Sequence, residues 1–311
     1  MSTIIQGWSV AVAVQKETIL AAPSSETVYN LAGKSRFTYE PVVKGFKPCL
    51  DVFRTQVKER YNSKYWQGTI ELELGLNAVT KLLFDSLFEL AATTIPSVGL
   101  TKYEYRPPKL YIPCSLKFFF TPAGLTTFSI EGAVITRVRV ELRVKALPKM
   151  TVNWIAVKLG TSSPGTPIES VTTLPLPATS GVSVNAIPLT FATEINWEFS
   201  DERVAVRFGE DRIPTKFGLN GNGIAKGEIA EYFNTDSSLP GLASSQAEVG
   251  VVQQFGAVGG RNLQAAFPRV VVTSGYPDAI SSGDLPYRAG FTVLESTIYD
   301  VDTQPVIYLT I

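Results

Sequence analysis

Residues 136–144 read TRVRVELRV. In an extended chain Val138, Val140, Leu142 and Val144 fall on one face, and Arg137, Arg139, Glu141 and Arg143 on the other. Successive strand side chains point to opposite sides, so this alternation predicts a half-buried antiparallel strand with one solvated face. Segments 69–74, 152–159, 203–208 and 305–311 are rich in β-branched and aromatic residues and also read as strands. One stretch has another period. Between 76 and 92, Leu76, Val79, Leu83, Leu87 and Leu90 recur at steps of three and four. That spacing predicts an amphipathic helix of about four turns lying on a sheet face. Asn77 is placed to cap its start, and Thr93, Thr94, Ile95 and Pro96 to end it. The chain is expected to be mainly β.

A length of 311 residues suits about two domains. Between 160 and 188 the prolines Pro164, Pro167, Pro175, Pro177 and Pro188 alternate with Ser, Thr and Gly, and charge nearly vanishes. Such a stretch predicts an extended connector. The expected layout is a first domain over 1–160, a linker over 161–188 and a second domain over 189–311. Two anchors link the halves. Gly68, after Tyr65-Trp66-Gln67, aligns with Gly227 at an offset of 227 − 68 = 159, and Pro113 aligns with Pro268 at 268 − 113 = 155. Near-equal offsets predict a duplicated unit of about 157 residues.

Composition narrows the chemistry. The chain has no histidine, which excludes Ser-His-Asp and Cys-His catalysis and His-ligated metals. Lys and Arg number 28 and Asp and Glu 28, so the net charge is zero, and bulk-charge gripping of nucleic acid or an anionic membrane is disfavoured. The charged fraction, 18%, is below the usual ~25%, as in chains that bury surface against partners. Cys49 and Cys114 form neither a metal-ligand spacing nor a disulfide framework, and the sequence leaves open whether they meet. No run approaches the ~20 apolar residues of a membrane helix. The apolar stretch 8–14 lacks a basic segment before it, so folding in a cytoplasm is expected.

Three features invite a functional reading, and each has a simpler one. Residues 218–223, GLNGNG, lack the Gly-Lys-Ser/Thr ending of a phosphate loop and read as a hairpin turn. Glu71 and Glu73 share one strand face and Glu210 and Asp211 are adjacent, but glycoside hydrolysis needs carboxylates facing each other across a cleft. The loop over 42–67 mixes Lys44, Lys47, Arg54, Lys58, Arg60 and Lys64 with Phe46, Phe53, Tyr61, Tyr65 and Trp66. Asp51 and Glu59 dilute that charge, so a hairpin reaching onto another protein is favoured over a nucleic-acid contact. No catalytic, cofactor-binding or metal-binding residue is assigned, and no enzyme is expected.

The order of local patterns supports a family resemblance. Gln15-Lys16-Glu17-Thr18 is followed by Ser35-Arg36-Phe37-Thr38-Tyr39, the long basic loop, and Trp66-Gln67-Gly68-Thr69-Ile70-Glu71-Leu72-Glu73. Then come the helix, residues 114–120, Glu131-Gly132-Ala133-Val134 and the alternating strand. In this order the chain resembles the tail tube (major tail) proteins of long-tailed bacteriophages. The resemblance implies two tandem β-barrel or sandwich domains, each flanked by a short helix. It implies self-association into rings stacked as a tube in the virion tail, assembled in the host bacterial cytoplasm. Duplicated-domain members form trimeric, pseudo-sixfold rings, and single-domain members form hexamers. The tape measure, tail terminator and distal tail proteins are implied partners, and DNA passes through the lumen at ejection without specific binding. Glu71 and Glu73 become lumen candidates. The second half departs from the pattern where its helix counterpart, around 237–246, is short and carries Pro240 and Gly241. Another injection-system tube protein, or a two-domain β-sandwich module binding carbohydrate or a surface, is the alternative.

Overall fold

The computed structural model describes residues 10–17, 26–31, 36–45, 61–108, 114–122, 127–143, 146–169, 175, 180–189, 192–201, 203–208, 214–219, 223–232, 239–257, 259–277, 286–294 and 304–311. They are mainly β, in sheets that do not close on themselves. The first series of elements is β1 (Val10–Glu17), β2 (Val28–Asn30), β3 (Arg36–Gly45), β4 (Tyr61–Glu73), α1 (Ala78–Leu87), β5 (Glu89–Ser97), β6 (Leu100–Arg106), β7 (Ser115–Pro122), β8 (Phe128–Arg143), β9 (Lys149–Ala156) and β10 (Lys158–Gly160). The second is β11 (Gly181–Val184), β12 (Ile187–Pro188), β13 (Ala192–Ser200), β14 (Arg203–Phe208), β15 (Pro214–Leu219), β16 (Ile224–Tyr232), α2 (Leu239–Ser245), β17 (Glu248–Gly256), β18 (Asn262–Pro277), β19 (Pro286–Val293) and β20 (Val306–Thr310).

The two series pair in the same antiparallel order. In the first it is β2-β1-β7-β8-β9-β4-β3. In the second it is β12-β11-β17-β18-β19-β16-β13. The irregularities repeat too. Thr136 is the extra residue between the pairs Ile135↔Trp154 and Arg137↔Asn153, and Thr273 the extra residue between Val272↔Phe291 and Ser274↔Gly290. Both bulges give the same offset, 272 − 135 = 137 and 291 − 154 = 137. Gly68 lies opposite Tyr39 and Trp154, and Gly227 opposite Trp197 and Phe291. A Cβ on Gly227 would sit 2.3 Å from Phe291 Cζ, so the glycine leaves room for that ring. The offset falls from 159 at these glycines to 137 because the β5–β6 hairpin interrupts the first series alone. The other anchor is not a correspondence. Pro268 lies within β18, the counterpart of β8, whereas Pro113 precedes β7 and is outside the described residues.

The predicted strands over 69–74, 136–144, 152–159, 203–208 and 305–311 coincide with β4, β8, β9–β10, β14 and β20. In β8 the buried Val138, Val140 and Leu142 alternate with the charged face as expected. Asn77 caps α1, its Oδ1 accepting the Thr80 N–H at 3.1 Å. The helix stops at Leu87, however, and the residues expected to finish it form β5. The β-branched run Thr93-Thr94-Ile95 favours extended backbone, and β6 supplies the pairing partner. Leu90, the last member of the helical stripe, is exposed. The end of the expected linker is also paired, since β11 joins both β12 and β17. Residues 220–222 are outside the described residues. The strands flanking them belong to different sheets, β15 with β14 and β16 with β13 and β19, so they do not form the expected hairpin.

The two series share hydrogen bonds and a core. β8 pairs with β13 and β6 with β20. One hydrophobic cluster runs from Val14 through Phe84, Trp154 and Trp197 to Leu309. Phe84 of α1 meets Trp197 of β13 edge-on, ring centroids 6.4 Å apart. Among the described residues no helix is long and apolar enough to cross a membrane.

Candidate assembly surface

Eight strands, four from each series, make one continuous run: β3-β4-β9-β8-β13-β16-β19-β18. Among the described side chains, one face of the run rests on the core and the other is mostly polar, because period-two alternation holds in strand after strand in matching register. Glu71, Thr151, Arg139, Glu198, Lys226 and Thr292 stand opposite one another across six strands. Glu73, Lys149, Glu141, Asn196, Glu228 and Gly290 form the next row.

Ion pairs lace this face. Glu194 is held by Arg288 at 2.8 Å and Arg143 at 3.1 Å, and Glu198 by Arg137 and, at 3.6 Å, Lys226. Arg143 also reaches Glu141 at 2.8 Å, and Arg288 reaches Glu228 at 3.2 Å. Both Glu194 and Glu198 are buried because the long cationic side chains lie over them. Six bases (Arg137, Arg139, Arg143, Lys149, Lys226, Arg288) meet six acids (Glu71, Glu73, Glu141, Glu194, Glu198, Glu228), and Arg269 of β18 is paired at 3.0 Å with Glu248 of the adjoining β17, so the described part of the face is neutral. Glu71 and Glu73 share this face, as the sequence predicts, with Glu71 exposed and Glu73 half-buried. The central acids, Glu194 and Glu198, are the residues sequence reasoning missed. Their signal was the alternation Glu194-Ile195-Asn196-Trp197-Glu198-Phe199.

The run ends in two edges. β3 pairs with β4 on one side and with no described strand on the other. β18 is flanked by β17 only as far as Val271, and from Thr273 to Pro277 it has β19 alone among the described strands. The β5–β6 hairpin adds apolar surface, with Ile95 and Val98 at its tip largely or fully exposed.

Two buried polar nodes hold the elements in place. Arg203 of β14 is fully buried and donates from Nη1 to Ser86 O (2.8 Å) and from Nη2 to Leu87 O (2.9 Å), at the C-terminal end of α1. Asp201 lies 3.5 Å from its Nε. Burial pulls the Arg203 pKa down to about 10, while Asp201 works to raise it. Burial in turn raises the Asp201 carboxyl against the pull of Arg203. In the other node Glu131 receives Lys117 Nζ at 2.8 Å and Lys158 Nζ at 2.9 Å.

Cys114 is a free thiol, and burial, then the Asp85 charge, push its pKa up to about 12, which removes thiolate reactivity. Cys49, Glu210, Asp211 and the loop tip over 46–60 lie outside the described residues. The flanks of that tip are the paired strands β3 and β4. Among the described residues no group of three His, Cys, Asp or Glu could hold a metal ion. Compared with models of known protein families the chain matches none, and no curated protein matches it.

Proposed function

We propose that this chain is a structural subunit that closes into rings and stacks them into a hollow tube, in the manner of a phage tail tube that conducts DNA. The observation that carries the reading is the eight-strand run, whose polar face is neutral and whose two edges are open among the described residues. An open edge is a row of unpaired backbone donors and acceptors, and closure with further copies satisfies it. The repeated strand order supplies two similar units per chain, so a few heterologous contacts complete a ring.

Strand arithmetic favours three copies. Three runs of eight strands, at about 4.8 Å per strand and about 40° of tilt, give a backbone wall about 48 Å across. Side chains of about 5 Å on each wall leave a lumen of about 38 Å, which admits a duplex about 20 Å wide with water around it. Two copies would leave a lumen of about 22 Å, with almost no clearance. A wall with balanced charge releases few counterions from DNA and does not retard it. In this reading Glu71 and Glu73 line the lumen, and the apolar tip of β5–β6 is covered by stacking. The tube ends join other tail proteins in the virion, and no residue has a catalytic role.

Sedimentation velocity across a concentration series tests the subunit reading. The expected first closed species has three times the chain mass of 33.8 kDa, followed by larger stacks. A monomer at every concentration overturns it.

A further inference from the structure

Within the eight-strand run the chain passes from one series to the other at the seam of β8 against β13, in register from Arg137↔Ser200 to Arg143↔Glu194. Asp201 N–H continues it, donating to Thr136 O at 2.8 Å. A bond between directly opposite residues shows which pairs exchange hydrogen bonds. By alternation these include Phe199↔Val138 and Trp197↔Val140.

The open edges repeat the two halves of this seam. β18 is the counterpart of β8 at an offset of 137, set by the matching bulges. β3 is the counterpart of β13 at 197 − 39 = 158, since Tyr39 lies opposite Gly68 as Trp197 lies opposite Gly227. Val138 and Val140 therefore map onto Gly275 and Pro277, and Phe199 and Trp197 onto Pro41 and Tyr39.

We infer that β18 of one copy pairs with β3 of the next in this same register, and that Pro41 and Pro277 keep the seam between chains weaker than the seam within. The inference takes its partner, a second copy, from the ring reading above. Gly275 then lies opposite Pro41, Tyr276 opposite Glu40, and Pro277 opposite Tyr39. Among the hydrogen-bonding pairs, Gly275–Pro41 and Pro277–Tyr39 each contain one residue without an N–H, whereas Thr273–Val43, the counterpart of Thr136–Asp201, has both donors. Gly275 N–H still donates to Pro41 O, and Tyr39 N–H to Pro277 O, so each pair keeps one bond of two. The corresponding pairs of the inner seam, Phe199–Val138 and Trp197–Val140, have all their donors.

Two consequences follow from the missing donors. The chain completes its own seam before joining a neighbour, and joining requires concentration or a template. One slipped register is also excluded. A slip of two residues that sets Pro41 opposite Pro277 leaves that pair with no donor at all. Edge prolines commonly guard against indiscriminate pairing, and here the register itself is taken from the inner seam.

Engineered cysteines in full-length protein lacking Cys49 and Cys114 (both changed to Ser) test the register. Tyr276 and Glu40 form a pair that exchanges no hydrogen bonds, with Cα atoms about 4.5 Å apart, within disulfide range. Oxidised E40C/Y276C is expected to form an intermolecular ladder ending at the closed ring. The off-register pair E40C/S274C is expected to stay uncrosslinked. In parallel, P41V and P277V, checked by circular dichroism for unchanged fold, each restore one donor. Each is expected to lower the concentration for half-assembly about two- to tenfold. Assembly without the E40C/Y276C crosslink, or with half-assembly unmoved by both proline variants, overturns this seam and leaves the tube reading standing. No assembly by the wild type or either proline variant overturns both.

Discussion

Replacing Arg203 with methionine should damage the fold far more than its place on a short hairpin suggests. The side chain is fully buried and donates to two carbonyls at the end of α1, Ser86 O and Leu87 O. Hydrogen bonds to a charged group contribute about 1.5–3 kcal/mol each. The cation also lies at the negative end of the helix dipole, where about 0.3–1 kcal/mol is typical for exposed charges. Methionine fills much of the volume but leaves both carbonyls and the Asp201 carboxylate unpaired, and breaking a buried pair from one side costs about 3–5 kcal/mol. Urea unfolding of R203M, D201N and the double variant measures this. The expected R203M loss is about 3–5 kcal/mol, with a coupling of about 1–3 kcal/mol between the sites. R203K should recover only part of the loss, because an ammonium lacks the planar fork that meets two carbonyls. A cost below about 1 kcal/mol for R203M, or strict additivity with D201N, would refute the view that this node fastens β14 to α1.

Two further perturbations probe the repeat and the second node. Gly227→Ala places a Cβ 2.3 Å from Phe291 Cζ and 2.5 Å from the backbone Asn196 O, so thermal unfolding should show a loss of about 1–3 kcal/mol. Burial acts to raise the Glu131 pKa, but hydrogen bonds from Lys117, Lys158 and Ser162 outweigh it and hold the value at about 2. The sign follows from the lowered folded-state value. The contribution is present above the ordinary carboxylate pKa near 4.5 and is lost as pH falls from there to about 2. Wild-type stability should decline through that window, and E131Q should be less stable at neutral pH with a flatter acid limb. Parallel pH profiles for the two proteins would contradict the assignment.

The fold was legible where one period ruled a whole element. TRVRVELRV announced both faces of β8, and the spacing from Leu76 to Leu87 announced α1 with its Asn77 cap. It failed at the helix end because Leu90 keeps the three-residue step while Thr93-Thr94-Ile95 favours a strand. Only pairing with β6, a tertiary contact, decided between them. The Gly68–Gly227 anchor was visible because each glycine stands in the same place in its series, Gly68 opposite Trp154 and Gly227 opposite Phe291, and Gly227 leaves room for the Phe291 ring. Pro113 and Pro268 matched in spacing alone. The Glu71–Glu73 face could be read within one strand, but the rows crossing six strands depend on register, which no single segment encodes. Arg203 had no signal, because its acceptors are backbone carbonyls more than a hundred residues away.

Self-closure into a tube is the central claim, and negative-stain electron microscopy of the purified full-length chain across a concentration series tests it most directly. The account predicts hollow tubes or stacked rings of constant width, with a lumen of about 38 Å from three copies of the eight-strand run. Isolated particles of single-chain size at every concentration, or filaments without a lumen, would contradict it.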